Sequence, residues 1–371
     1  MDRQQKMDQI PDNKALSFTR IESLTGLKAV ALLLIFWWHA PVSKPDFDIG
    51  AQMCQLLFIC SGFLTGYSSL KKPGLPAAAL KDPFKICLKK LKTFWPLHAL
   101  FTLLWFIFLS DTAFTPGTAI RLILNLFLLQ AWHPARDVYM SFNGVSWFLS
   151  ALIFCYFLSP FLLKTIRRSR KCIILAFVAA FLARIILNDL CWYFPKTFSW
   201  YNTYSFPPIR VLEFYMGILI VPLYKYFDAK IRKMEETKRT LIMTVAELSY
   251  ILALECFLFF ISNKVSHSLT PPVYLPLIIL FACNSGLISR FLALRPFCIF
   301  GKIQFQFFIV HHFIIRIFLQ YSILENINIG IRTILMLIAA IAVSSLLYLL
   351  HENITKRILK IITTRQTGGL H

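Results

Sequence analysis

Acidic residues are scarce in this chain. Its 371 residues hold 18 Asp and Glu against 39 Lys and Arg, and charged residues make up only 15% of it. A water-soluble protein carries closer to about a quarter. Long polar stretches are missing as well. The segments between apolar runs reach roughly 25 residues, below the usual size of a domain. These shortages exclude a soluble fold. A net charge of +21 on a soluble chain would point to nucleic acid. Here Lys and Arg gather in short segments between apolar runs, the positive-inside pattern of membrane proteins, so no nucleic-acid partner is expected.

Several signatures of chemistry are also missing. There is no GxSxG, P-loop or GxGxxG motif. Cysteines stand at 54, 60, 87, 155, 172, 191, 256, 283 and 298, without a CxxC or the Cys/His spacing of a zinc site. Most lie within or at the ends of apolar runs, where a thiol acts as a small hydrophobe. Neither a metal nor a disulfide framework is expected. No small-residue cleavage site follows the first apolar run, so that run is expected to remain as a helix. No internal repeat or low-complexity tract is visible.

What remains is apolar: 57% hydrophobic residues, 15% aromatics, thirty-six of them Phe. The chain reads as an all-α polytopic membrane helix bundle. Apolar runs fall at 24–41, 51–69, 94–110, 119–132, 145–163, 172–190, 207–225, 240–262, 271–289, 303–324 and 330–350. A crossing helix needs roughly 17 to 25 residues. Run 119–132 is short and carries Arg121 and Asn125. Basic segments at 1–20, 71–92, 164–171, 225–239, 290–302 and 356–365 can all lie inside only if that run does not cross. The expectation is ten spans plus one re-entrant or interfacial segment, with both termini cytoplasmic; the alternative is eleven crossing runs with one basic loop on the wrong side. Residues 1–19 would be a cytoplasmic lead-in, 20–358 a single membrane domain and 359–371 a cytoplasmic tail.

Ionisable residues inside apolar runs are costly and face a bundle interior or a watery cavity. The first run, LTGLKAVALLLIFWWHA, holds Lys28 and His39. Eleven positions bring them to nearly the same helix face, about 16 Å apart along the axis. Further candidates are His98, Arg184, Arg210, Glu213, Glu247, Glu255, His311, His312, Arg316, His351 and Glu352. For any one of them, pairing or snorkelling is the plain reading. Arg210 and Glu213, three apart, read as an internal ion pair. His311 and His312 point about 100° apart on a helix. Lys85, Lys89, Lys90 and Lys92 precede a span and fix topology, or else hold an anionic group such as a phosphorylated acyl carrier.

Taken in order, these segments resemble one family. RIESLTGLKAVALLLIFWWHA (20–40) resembles the opening helix of the acyltransferase 3 family of integral membrane O-acyltransferases, in which a basic residue precedes a His by eleven positions. LLFICSGFLTGYS (56–68) is similar to its second helix, FKICLKKLKTFWPLHAL (84–100) to its Arg-rich third, and WFLSALIFCYFLSPFLL (147–163) to its WFLS helix. IRVLEFYMGIL (209–219), FGKIQFQFFIVHH (300–312) and HENITKRI (351–358) complete the order, the last two placing His311 and Glu352 on family positions. The family's usual Arg is here Lys28, and its Arg-x-x-Arg becomes Lys89 and Lys92, or Lys90 and Thr93 in the other register. Lysine offers charge but not a two-pronged fork.

The resemblance implies transfer of an acyl group, by family default acetyl, from cytoplasmic acyl-CoA to a hydroxyl of a cell-envelope glycan or lipid-linked sugar. His39 would be the base or acyl carrier and Lys28 its catalytic partner. Lys89, Lys92, Trp147, Arg210, Glu213, His311 and Glu352 would contact or shape the substrates. The implied donor is acetyl-CoA or another acyl-CoA, with no metal. The implied location is the inner membrane, with membrane lipid as a further partner. Buried charge would serve a lipid-linked glycan transporter or flippase equally, although the lack of an inverted repeat weighs against it. A non-catalytic scaffold is a third reading.

Overall fold

The computed structural model of the chain describes residues 21–44, 48–70, 82–109, 114–261 and 269–367. The expected lead-in 1–19, together with Lys71, Lys72 and Lys81, lies outside the described residues. Among the described residues all regular structure is helical. In chain order the α-helices are α1 (Glu22–His39), α2 (Ile49–Ser69), α3 (Pro83–Leu109), α4 (Pro116–Leu126), α5 (Arg136–Tyr139), α6 (Trp147–Leu162) and α7 (Arg170–Tyr193). They continue as α8 (Pro207–Leu219), α9 (Val221–Ile231), α10 (Glu236–Cys256), α11 (Tyr274–Ala282), α12 (Leu287–Leu292), α13 (Arg295–Gln320) and α14 (Ile329–Thr367).

Among the described residues, eight helical stretches are long and apolar enough to cross a membrane. They coincide with eight of the expected runs, and α1 with a ninth. Run 271–289 differs, being two short helices, α11 and α12, joined through a left-handed Asn284. A break within a membrane-spanning run frees backbone groups that lipid cannot satisfy. Glu247, buried on α10, meets that need by accepting from the Ile288 and Ser289 amides at 3.1 Å each.

Run 119–132 also behaves as its short length requires. α4 has 11 residues, about 16 Å, half the ~30 Å hydrocarbon thickness. Thr115 caps its start and Pro116 occupies the first turn. The carbonyls released at its far end are taken by neighbouring side chains. His98 donates to Asn125 O at 2.7 Å, Trp95 to Leu126 O at 2.7 Å, and Ser150 to Leu128 O. The chain can therefore turn back without leaving bare carbonyls in lipid.

The centre of the bundle is the α2–α8 pair. Asp48 starts α2 by accepting from the Ala51 amide at 2.8 Å. A side-chain carbon at Gly62 would collide with the backbone carbonyl of Phe214, and one at Gly217 with that of Ile59. The two helices thus touch backbone to backbone at two levels, as small residues allow in membranes. A buried polar seam joins α2 to the α11 side. Tyr274 Oη donates to Gln52 at 2.8 Å and Thr270 Oγ1 to Gln55 at 2.7 Å.

Glu213 of α8 then fixes α7. Its Oε1 accepts from Arg184 Nε at 3.1 Å and Nη2 at 2.9 Å, and Arg210 Nη1 reaches Oε1 and Oε2 at 2.8 and 2.9 Å. The carboxylate is 0% exposed and Arg184 1%. The expected Arg210–Glu213 pair is present and acquires a second cation from a different helix.

Two consequences are measurable in the detergent-solubilised protein. Gly217→Val drives a branched side chain into the α2 backbone and should cost about 1–3 kcal/mol, read as a lower melting temperature with loss of monodispersity. Glu213→Gln leaves two buried guanidinium groups without a counter-charge. Breaking a buried pair costs about 3–5 kcal/mol, and protease should then cut near α7 at temperatures that leave the parent protein intact.

Candidate active site

Three helices run in the same direction and bring their rings to one level. Phe94 of α3 packs on Phe305 of α13 at 5.0 Å, and further along the same pair Phe101 meets Phe313 at 5.2 Å. α1 joins them through Gln304, whose amide donates to Thr25 O at 2.7 Å, and through Phe36 on Phe307 at 6.2 Å. The last residue of α1, His39, thereby meets α13. Its ring centroid is 5.4 Å from His311 and 4.8 Å from His312. His312 in turn lies 4.9 Å from Trp105 of α3.

Hydrogen bonding sets the tautomer of two of these imidazoles. His39 Nδ1 is 2.7 Å from Ile35 O, and His311 Nδ1 is 3.0 Å from Phe307 O. A carbonyl only accepts, so each Nδ1 carries the proton and each Nε2 the lone pair. His311 is fully buried, with Nε2 lacking a hydrogen-bond partner among the described residues. His39 instead lines a cavity of about 430 Å³, as does His312.

That cavity has aromatic walls and a polar rim. Trp38, Trp147, Tyr139 and Tyr204 supply ring faces, while Lys44, Asp48 and Arg136 supply charge. Lys44 Nζ sits 5.3 Å over the Trp38 ring. Tyr204 is 5.0 Å from Trp147 and 6.2 Å, stacked, from Tyr139. Burial pushes the Tyr139 and Tyr204 phenols up from their ordinary pKa, so both remain neutral O–H groups. Arg210 lies behind this wall. Its Cζ is 5.3 Å from the Trp147 ring, and Nε and Nη2 donate to Tyr204 O. Asn143, donating to Ile309 O at 2.9 Å, ties the wall segment to α13.

The residues singled out from sequence fall into three groups. His39 and Trp147 line the cavity, with Arg210, Glu213 and His311 packed behind it. Lys28 lies in the first half of α1, with Lys90 of α3 as its electrostatic neighbour. Of the α3 lysines, Lys89 and Lys92 are exposed, whereas Lys90 turns inward over Tyr156 at 4.2 Å and Phe94 at 5.9 Å. Glu352 is half-buried on α14 and does not line the cavity. α14 itself continues to Thr367, past the end of the closing motif.

Sequence reasoning named His312 as a candidate without assigning it to the site, and passed over Trp38, Asp48, Arg136, Tyr139 and Tyr204. The doublets WWH and VHH carried a trace of the first two. The others come from connecting segments with no periodicity to read. Among the described residues, no group of three or more His, Cys, Asp or Glu is placed to hold a metal ion. A lone-pair nitrogen facing a polar cavity can take a proton from a hydroxyl bound there.

The acyltransferase domain family of the acyltransferase 3 type matches residues 21–349. The chain is 26% identical over 230 residues to acyltransferase MdmB of Streptomyces mycarofaciens, covering 54% of this chain and 57% of that protein. The chain thus spans little more than half the length of this curated relative. No solved structure matches it. The match runs from the residue before α1 into α14 and includes every helix that builds the cavity, and on that extent the chain is a multi-pass membrane protein of the acyltransferase 3 family.

Proposed function

We propose that this protein moves an acyl group, acetyl by family default, from acyl-CoA to a hydroxyl of a cell-envelope glycan or lipid-linked sugar at the inner membrane. The observation that carries this reading is His39. Its Nδ1 proton is held on Ile35 O, and the ring stands in an aromatic-walled polar cavity. Trp and Tyr faces with a rim of Asp48, Lys44 and Arg136 suit a sugar ring, which has apolar faces and a hydroxyl edge.

The chemistry balances on one imidazole. His39 Nε2 takes the acceptor's hydroxyl proton as the oxygen attacks the thioester carbon. The tetrahedral intermediate collapses, the C–S bond breaks, and the departing thiolate takes the proton back. An acyl-His39 intermediate is the alternative course for the same residue. His312, next to His39, suits the role of hydrogen-bond donor to the oxyanion.

Charge distribution supports an acceptor outside and a donor inside. The cavity lies where α1, α3 and α13 run toward their ends and where α2 and α6 begin. Lys164 to Lys171 follow α6, and Arg290 and Arg295 border the start of α13, at the opposite end of these helices. Under the positive-inside rule that opposite end is cytoplasmic. Lys28 and Lys90 would there attract the coenzyme A phosphates, with Lys89 and Lys92 on the outer side of α3 adding to the local field.

His39→Ala should lower transfer of labelled acetyl from acetyl-CoA by about 10²–10⁴-fold while the protein still inserts. Full activity in that variant would eliminate the proposed role. His312→Phe keeps a ring against Trp105 but no nitrogen. We expect about a hundredfold loss of kcat with the melting temperature retained. At the level of the cell, mass spectrometry of surface glycans should show an acetyl ester increment present only when the protein is. An unchanged glycan profile on deletion would count against the reading.

A further inference from the structure

Two lateral grooves of similar size open on the bundle, and they differ in charge. One, about 770 Å³, lies between α1, α2, α10 and α11, and Glu255 is the charged residue among those lining it. The other, about 800 Å³, lies between α7, the α8–α9 junction and α11. Ile173, Phe177, Leu223 and Leu275 are among its apolar walls, and Arg168 and Arg170 stand at its edge with no carboxylate among the lining residues. Neither arginine takes part in an ion pair among the described residues. Lys164, Arg167 and Lys171 follow the same turn of chain and enlarge the positive field.

We propose that this second groove is a binding site for an anionic phospholipid, with the phosphate at Arg168 and Arg170 and an acyl chain along the α7–α11 wall. A hydrocarbon slot at membrane depth accepts a lipid chain whatever its headgroup. Two uncompensated guanidinium groups at its mouth add a preference for negative charge, because basic pockets between membrane helices hold acidic headgroups and arginine forks match phosphate oxygens. A free phosphate would leave the apolar walls unfilled. A zwitterionic lipid would bring its own cation to the arginines. The site is separate from the His39 cavity and does not depend on the acyl-transfer reading. Its consequence is mechanical. A lipid bridging α7 to α9 and α11 holds the helix that carries Arg184 against Glu213.

The test uses the full chain purified in uncharged detergent, titrated with phosphatidylglycerol and phosphatidylcholine of identical acyl chains and read by native mass spectrometry. The parent protein should prefer phosphatidylglycerol by about thirtyfold, the size that two surface cations supply. The double variant Arg168→Gln, Arg170→Gln changes exposed side chains only, and it should bind both lipids alike. Leu223→Trp fills the groove without altering charge and should weaken both lipids together. Glu255→Gln, in the other groove, should change nothing. Equal binding of the two lipids by the parent protein would overturn the proposal. So would full preference in the double variant, loss of preference in Glu255→Gln, or displacement of phosphatidylglycerol by inorganic phosphate alone.

Discussion

Glu213 is the counter-charge on which both the frame and the cavity wall depend. Two guanidinium groups enter the protein interior from different helices, and one carboxylate answers both. Buried charges are tolerated when paired and hydrogen-bonded and are costly otherwise. Arg184 ties α7 to α8 through this carboxylate. Arg210, held by the same group, has its remaining donors on Tyr204 O and its flat face toward Trp147 and Phe58. The ion cluster thus places two aromatic walls of the cavity without lining the cavity itself. Because α8 also meets α2 backbone to backbone at Gly62 and Gly217, the cluster is anchored to the tightest contact of the bundle.

The other half of the cavity comes from helix direction. α1, α3 and α13 run in parallel, so residues near the ends of α1 and α3 and midway along α13 share a level. His39, Trp105 and His312 meet there, and Lys28 and Lys90 share a level nearer the starts of α1 and α3. The proposed reaction would pair a thioester donor with a sugar acceptor on opposite sides of a membrane, which poses a geometric problem. One 18-residue helix with a cation toward one end and an imidazole at the other spans much of that gap. The helix need not move to connect two aqueous sides. For the proposed reaction it would need only to present each group at the level of the substrate assigned to it.

Much of this was legible in the sequence because membrane proteins obey few rules. The apolar runs located nearly every long helix, and the distribution of lysine and arginine singled out run 119–132 as one that should not cross. The 11-residue α4 with its capped end agrees. The Arg210–Glu213 spacing announced an ion pair. What sequence periodicity could not give was the partner on another helix, since Arg184 lies 29 positions from Glu213. Nor could it separate Lys89, Lys90 and Lys92. Consecutive helical positions differ by about 100°, and only tertiary packing decides which one turns inward. The break between α11 and α12 was hidden for the same reason: Glu247, which compensates it, lies some forty residues away on α10.

The position of His39 on α1 carries a further argument. A base that removes a proton from a hydroxyl becomes a cation for the life of the intermediate, and a low-dielectric interior opposes that charge. His39 is the last residue of α1, where backbone carbonyls without intrahelical partners gather partial negative charge. Its own Nδ1–H rests on one carbonyl of that final turn, which gains in strength when the ring is charged. His312 cannot draw on the same source, because it lies in the middle of α13, where the carbonyls are engaged along the helix. Two imidazoles 4.8 Å apart therefore meet different fields. The one at the helix end is suited to hold a proton briefly, and the one in the helix interior is suited to stay neutral and donate a hydrogen bond. That difference in field follows from where each histidine falls along its helix, before any substrate is considered.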